Sequence, residues 1–273
     1  MTAAGAVPGA RPAPKGVNPS QPSSARVFDY LLGGKDNYEA DRVLAQHMLE
    51  VAPDTRTLAW FSRRFLTGAT QLAAEKGVRQ FVDMGAGLPT SPNVHEVAQK
   101  VDSAVRVASV DFDPIVYAHA NAMLDGEPDV TAILGDFRDP GNVLHRLRTE
   151  AKIDLDQPIA MLVVGVLHFV MDDERPADLI ARYRDAMTPG SYLAFTHGST
   201  DTSEAFMHRA TTGTHGSPAQ IVFRSAAAIE ALFEGFEILD PGIVPIQKWI
   251  GDDLPKTRLD LLGAVCRKPD GPG

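Results

Sequence analysis

Three carboxylates stand at or just beyond the ends of short apolar runs, and their order along the chain suggests one binding edge. RQFVDM (79–84) carries Asp83 and runs into Gly85-Ala86-Gly87. VRVASVD (105–111) ends on Asp111 and is followed by Phe112 and Asp113. DVTAIL (129–134) is followed by Gly135, Asp136 and Phe137. Glycines after a strand allow a tight turn and close backbone approach to a ligand. A carboxylate after the second strand can accept both hydroxyls of a ribose, and an aromatic ring beside it can lie on a base. Asp136 can accept from an exocyclic amine, or it is a plain turn residue. Asp113 reads as the cap of a helix opening at Pro114. An acid two residues before the first glycine would repel a diphosphate. Thr90 also stands where a dinucleotide fingerprint has its third glycine. Taken together, these residues describe a pocket for a nucleoside that carries a cationic tail and no phosphate.

Eight histidines offer proton chemistry. His168 follows a fourth apolar run and His197 ends a fifth, so both fall at the same edge. His168 is a candidate for positioning the backbone or acting as a base. His197 is a candidate base or a hydrogen-bonded structural residue. His208 and His215, with His197, match no standard metal spacing, and no metal is expected. The single cysteine, Cys266, lies in an apolar run and reads as inert core. It excludes a disulfide framework.

The elements that must position these residues alternate in type. Residues 1–22 are rich in Pro, Gly and Ala, and read as a disordered tail. Three helical stripes follow. Val27, Tyr30 and Leu31 form the first, stopped by Gly33-Gly34. Val43, Leu44, Met48 and Val51 form the second. Leu58, Phe61, Phe65, Ala69 and Leu72 form the third, stopped by Gly77. Strands and helices then alternate. Thr90 or Ser91 is expected to cap one helix, and PIAMLVVGVL (158–167) to form a long central strand covered on both faces. Asp139-Pro140 and Ser225 open further helices, SYLAFTH (191–197) is a fifth strand, and FEILD and LDLLGAVCR are two last strands. Such alternation implies βαβ units and a parallel sheet, with ligands bound beyond the carboxyl ends of its strands. The Ser- and Thr-rich stretch 198–224 is either a lid or a surface insertion. Its expected helix spans Glu204 to Ala210.

The net charge of −9 is a poor balance for a nucleic acid binder. No apolar run reaches the ~18 residues of a membrane span, and the N-terminus has no secretory signal pattern. A cytoplasmic enzyme with a small-molecule partner is expected, its oligomeric state left open.

S-adenosylmethionine fits the pocket: ammonium, sulfonium, ribose diol and adenine. The chain resembles the class I S-adenosylmethionine-dependent methyltransferases. It is most similar to a bacterial family of presumed methyltransferases marked by a run like SARVFDYLLGGKDNYEADR (24–42). FVDMGAGLPTSPNVHEVA (81–98), VDFDPIVYAHA (110–120), GDFRDP (135–140), VLHFV (166–170) and PGSYLAFTH (189–197) carry the rest of the likeness, over residues 23–268. The resemblance implies an α/β, Rossmann-like sheet of seven strands, helices on both faces and the last strand antiparallel. It implies that Asp83, Gly85 and Gly87 surround the methionine end, Asp111 the ribose, and Asp136 with Phe137 the adenine. Ala86, Phe112, Gly165, Val166, His168 and Tyr30 complete the expected cofactor wall. The expected organisation is a tail (1–22), a helical extension or lid (23–78) and a cofactor-binding domain (79–268). In that lid, Tyr30 and Asn37 would line the acceptor pocket; the plainer reading is a helix cap and a polar turn. Two other functions compete: a non-catalytic module that binds S-adenosylmethionine or S-adenosylhomocysteine, and an NAD-dependent oxidoreductase. Asp83 and Thr90 argue against the second.

Overall fold

A computed structural model describes residues 18–124, 126–127, 129–214, 220–251 and 253–270. In chain order the helices and strands are α1 (Ser24–Leu31), α2 (Glu39–Val51), α3 (Thr55–Glu75), β1 (Gln80–Met84), α4 (Val94–Val101), β2 (Arg106–Asp111), α5 (Pro114–Leu124) and β3 (Val130–Leu134). They continue with α6 (Pro140–Thr149), β4 (Ala160–Val163), α7 (Pro176–Ala186), β5 (Tyr192–Gly198), α8 (Glu204–Thr214) and α9 (Ala226–Ala231). β6 (Glu237–Ile238), β7 (Val244–Pro245), α10 (Gln247–Ile250) and β8 (Leu261–Arg267) complete the chain.

The strands form one sheet in the order β3-β2-β1-β4-β5-β8-β6, with β7 also on β8. β1 to β5 are parallel and β8 runs antiparallel to β5. β6 pairs with Arg267 and Cys266, and β7 with Gly263 and Leu262, so both lie on the same edge of β8. Eight strands therefore fill the seven expected positions. Chain order reverses between β2-β1 and β1-β4, and such a switch point opens a crevice at the carboxyl ends.

Alternation along β1 sends its residues to two cores. Val82 and Met84 join Val110, Ile133, Phe195, Tyr183 and Phe233 on one face. Phe81 joins Phe65, Leu66, Val107, Leu162 and Ala194 on the other. Helix α3 thus belongs to the sheet's own core. A small third cluster, Val27, Leu31, Ala45 and Ala59, ties α1 and α2 to it.

Several local expectations shift. The apolar run 158–167 is strand only over Ala160–Val163. Gly165, at φ 76°, turns the chain out, and its N–H donates to Thr196 Oγ1 at 2.8 Å. The helix expected from Thr90 or Ser91 starts at Val94, with Asn93 at its N-cap. Glu96 accepts from the Asn93 N–H there, a favourable place for a negative charge. Val43, expected on a buried stripe, is 44% exposed, and Ala45 and Asp41 take the inward positions of α2. Asp139 and Ser225 cap their helices as expected. Cys266 is buried, and burial pushes its thiol up to about 12. The first seventeen residues of the expected tail, His215 and the last three residues lie outside the described residues. Residues 18–22 include Gln21, whose carbonyl accepts from Arg26.

Candidate functional site

A cavity of about 570 Å³ opens over the carboxyl ends of the parallel strands. Asp83, Gly85, Ala86 and Gly87 reach it from β1, Asp111 and Phe112 from β2, and Asp136 and Phe137 from β3. Gly165, Val166 and His168 reach it from the turn after β4. The residues singled out after strands one to four thus share a single space. Helices α1, α2, α3 and α8 close it from above, together with Ile221 and Phe223.

The glycine turn is bound to its neighbour strand. Gly85 and Ala86 donate their N–H groups to the Val110 carbonyl, at 2.8 and 3.1 Å. Gly87 donates to Asp111 Oδ2 at 2.9 Å. These amides are committed within the protein, so the turn is not the phosphate cradle that free N–H groups would form. Gly85 is required twice over: its φ is 67°, and a Cβ there would meet Val166 Cγ2 at 2.4 Å.

Asp111 also accepts from the Asp113 N–H through Oδ1 at 2.9 Å. Each carboxylate oxygen can take a second donor, which leaves capacity on both. Burial raises the Asp111 carboxyl to about 6 despite those bonds. Asp83 is likewise pushed up to about 6 by burial, with Arg63 pulling the other way and Asp111 adding to the rise. A buried acid of this kind favours a cation. Asp113 caps as expected, accepting from the Ile115 N–H, and additionally takes the Ser23 hydroxyl at 2.7 Å.

Asp136 is held by Arg138, whose Nε and Nη2 each reach it at 2.9 Å. The same guanidinium lies 5.7 Å from the Phe112 ring centre. Phe112 is 44% exposed, an open aromatic face at the cavity. Phe137 stacks on Tyr183 at 4.9 Å and belongs to the core.

The two histidines part company. His168 sits on the 3-10 turn Leu167–Phe169 and lines the cavity. Its Nδ1 is shut off from solvent and has no hydrogen-bond partner. Burial, with His197 and Arg224 nearby, lowers it to about 3, so the ring is neutral. His197 is fully buried and does not reach the cavity wall. Its Nδ1 meets the Gly198 carbonyl at 2.9 Å and its Nε2 faces Arg224 Nη1 at 2.6 Å. Both nitrogens are thereby engaged, and burial lowers it to about 4. His197 is bonded to the Arg224 that also donates to the Val170 carbonyl and Asp172.

The N-terminal run covers the cavity by other residues than expected. Val27, Phe28 and Leu31 line it, whereas Tyr30 and Asn37 do not. Tyr30 lies under Arg56, and Asn37 donates to Asp29 at 2.8 Å. Arg63, on α3, was not evident among the candidates. It lines the cavity beside Asp83 and donates to the Thr90 and Pro92 carbonyls. An Arg63-Arg64 doublet reads as a solvated face. The available signal was spacing: Arg63 falls four after Ala59 and three before Leu66, both buried.

Among the described residues no group of three or more His, Cys, Asp or Glu side chains could hold a metal ion. No helix of the described residues is long and apolar enough to cross a membrane.

The sheet order, the antiparallel last strand and the acids at the strand ends define a methyltransferase-like fold. The chain belongs to the S-adenosyl methyltransferase family, whose model matches residues 10–269. S-adenosylmethionine is therefore the cofactor, and methyl transfer the class of reaction. The chain is similar to a presumed methyltransferase from Thermobifida fusca YX, at 36% identity and a TM-score of 0.85, over 92% of this chain and 96% of that one. It is similar to a DUF574 family protein from Streptomyces avermitilis MA-4680, at 33% identity and a TM-score of 0.85, over 91% and 98% of the two chains. The N-methyltransferase NodS from Bradyrhizobium japonicum WM9, solved with S-adenosylhomocysteine, shares the fold alone, at 15% identity and a TM-score of 0.51 over 90% and 100%. No match was found among curated proteins.

Proposed function

We propose that the chain methylates a small molecule held in this cavity, and that the strand-end acids hold the cofactor. One observation carries the reading: Asp83, Asp111 and Asp136 line the same cavity as His168. The residues fit the cofactor. Asp83 attracts its ammonium and Arg63 its carboxylate, Asp111 takes the ribose diol, and Phe112 with Asp136 takes the adenine. When bound, the cofactor supplies a methyl carbon on a sulfonium.

Reaction at that carbon needs a lone pair in line with the breaking bond, so positioning supplies much of the rate. The acceptor's lone pair forms the new bond to carbon. The carbon–sulfur electron pair stays on sulfur, which leaves as a neutral thioether. The His168 ring holds the acceptor's N–H or O–H and takes its proton. Even a weakened imidazole can do so for a hydroxyl acceptor, because an O-methylated oxonium is a strong acid. His197 and Arg224 brace the turn that carries His168. A cavity of about 570 Å³ with a largely apolar lining supports a small acceptor over a nucleic acid.

Asp111→Ala tests the assignment by calorimetry with S-adenosylhomocysteine. Loss of this acceptor should cost roughly 1.5–3 kcal/mol, ten- to hundredfold in affinity. Asp113→Ala should cost about 1 kcal/mol of stability with little change in affinity. Equal affinities in wild type and Asp111→Ala would remove the ribose role.

A further inference from the structure

We infer that the methyl acceptor is a largely apolar molecule without a carboxylate or phosphate, with an N–H or O–H directed at His168. The inference rests on the methyltransferase reading and concerns the part of the cavity away from the strand-end acids. That part is walled by Phe28 and Leu31 of α1, Met48 of α2, Leu58 of α3, Phe206 of α8, and Phe223. Phe206 and Phe223 meet edge to face at 6.3 Å. The Val222 N–H donates to the His168 carbonyl at 2.8 Å, which fixes this apolar wall beside the histidine.

The cations are as informative. Among the described lining residues the arginines are Arg63 and Arg138, and none is lysine; His47 and Glu50 of α2 also line the cavity and are both exposed. Arg63 bonds to the Thr90 and Pro92 carbonyls beside Asp83, and Arg138 to Asp136 and Glu174. Both stand at the strand ends, in the half assigned to the cofactor. An acceptor bearing a carboxylate or phosphate would be desolvated against aromatic and aliphatic side chains with no arginine or lysine beside it. The His168 ring, which lines the cavity, offers such an acceptor a hydrogen bond in return. Apolar pockets with one or two convergent polar groups take ligands of this composition.

The test uses the full chain saturated with S-adenosylhomocysteine, with loading first verified by calorimetry. Two probes are compared: naphthol, and hydroxynaphthoate, which adds a carboxylate to the same rings. Naphthol should bind about tenfold more tightly than hydroxynaphthoate. Phe28→Glu should weaken naphthol by about tenfold. Met48→Lys should narrow or reverse the preference by supplying the missing counterion. Both positions are half-buried, and circular dichroism verifies folding. Hydroxynaphthoate binding as tightly as naphthol overturns the inference. So does failure of the loaded protein to bind either probe. Failure of S-adenosylhomocysteine to bind at all would instead overturn the methyltransferase reading.

Discussion

At Asp83 stability and the proposed binding role oppose each other. Its carboxyl is raised to about 6 although Arg63 is beside it, so burial outweighs the attraction. A folded value above the unfolded one, near 3.9, means that the proton binds the folded state more tightly. The associated stability is fully present below pH ~4 and is lost as pH rises through about 6. At neutral pH the ionised group therefore costs stability, and a cationic ligand relieves that cost. Asp83→Asn should raise the melting temperature of the ligand-free protein at pH 7.5. The gain should shrink as pH falls through 6 and vanish below pH ~4 in scanning calorimetry, where Asp83 is protonated in both states. The same variant should bind S-adenosylmethionine more weakly at pH 7.5. The wild type should bind it more tightly as pH rises through 6, with Asp111, also raised to about 6, contributing to the same slope. A stabilised variant with unchanged affinity would show that Asp83 does not meet the ammonium.

At the scale of elements, the run 24–42 is folded by its own polar groups. Arg26 and Asp41 form a buried pair at 2.8 Å, with side chains 4% and 0% exposed. Asp41 also accepts the Ser23 and Tyr38 N–H groups, and Arg26 lies 5.2 Å from the Tyr38 ring centre. Asp29 accepts from the Asp36 N–H and from Asn37, closing the turn after α1. These bonds hold α1 so that Phe28 and Leu31 face the cavity. Removing one partner leaves the other charged, buried and unpaired. Asp41→Ala should therefore destabilise by ~3–5 kcal/mol in urea denaturation. The double variant Arg26→Met/Asp41→Leu should recover most of that loss, since an apolar pair of similar volume avoids desolvation altogether. A single variant within ~0.5 kcal/mol of wild type would show that the pair does not hold the segment.

On the scale of the whole molecule, α3 joins the N-terminal helices to the sheet. Phe65 packs in the sheet core and meets Trp249 edge to face at 6.0 Å. If that contact makes the helices and sheet one cooperative unit, unfolding has one transition. Fluorescence from Trp60 on α3 and Trp249 on α10 should then change together with circular dichroism. Phe65→Ala should cost ~3–5 kcal/mol and shift both signals equally. Separate transitions would instead divide the chain near residue 78, as its change of texture suggests.

Much of this architecture is legible in the sequence because strands, caps and turns are local. Apolar runs ending at Asp111 and His197, the glycines after Asp83, and the caps at Asp139 and Ser225 each depend on a few adjacent residues. Their order brings the three acids to one sheet edge, and the resemblance supplies the antiparallel last strand. Tertiary packing decided which side chains face the cavity. Tyr30 turns under Arg56 while Phe28 lines the wall, a difference of two positions on one short helix. His168 and His197 both follow apolar runs, yet Arg224, 27 residues beyond His197, engages only the latter's ring. Arg63 meets Asp83 because α3 crosses the face of the sheet to which Asp83 points. Local patterns determine backbone conformation within a few residues, whereas a binding site is made of groups far apart in sequence. Only the packing of helices on the sheet brings such groups within reach of one another.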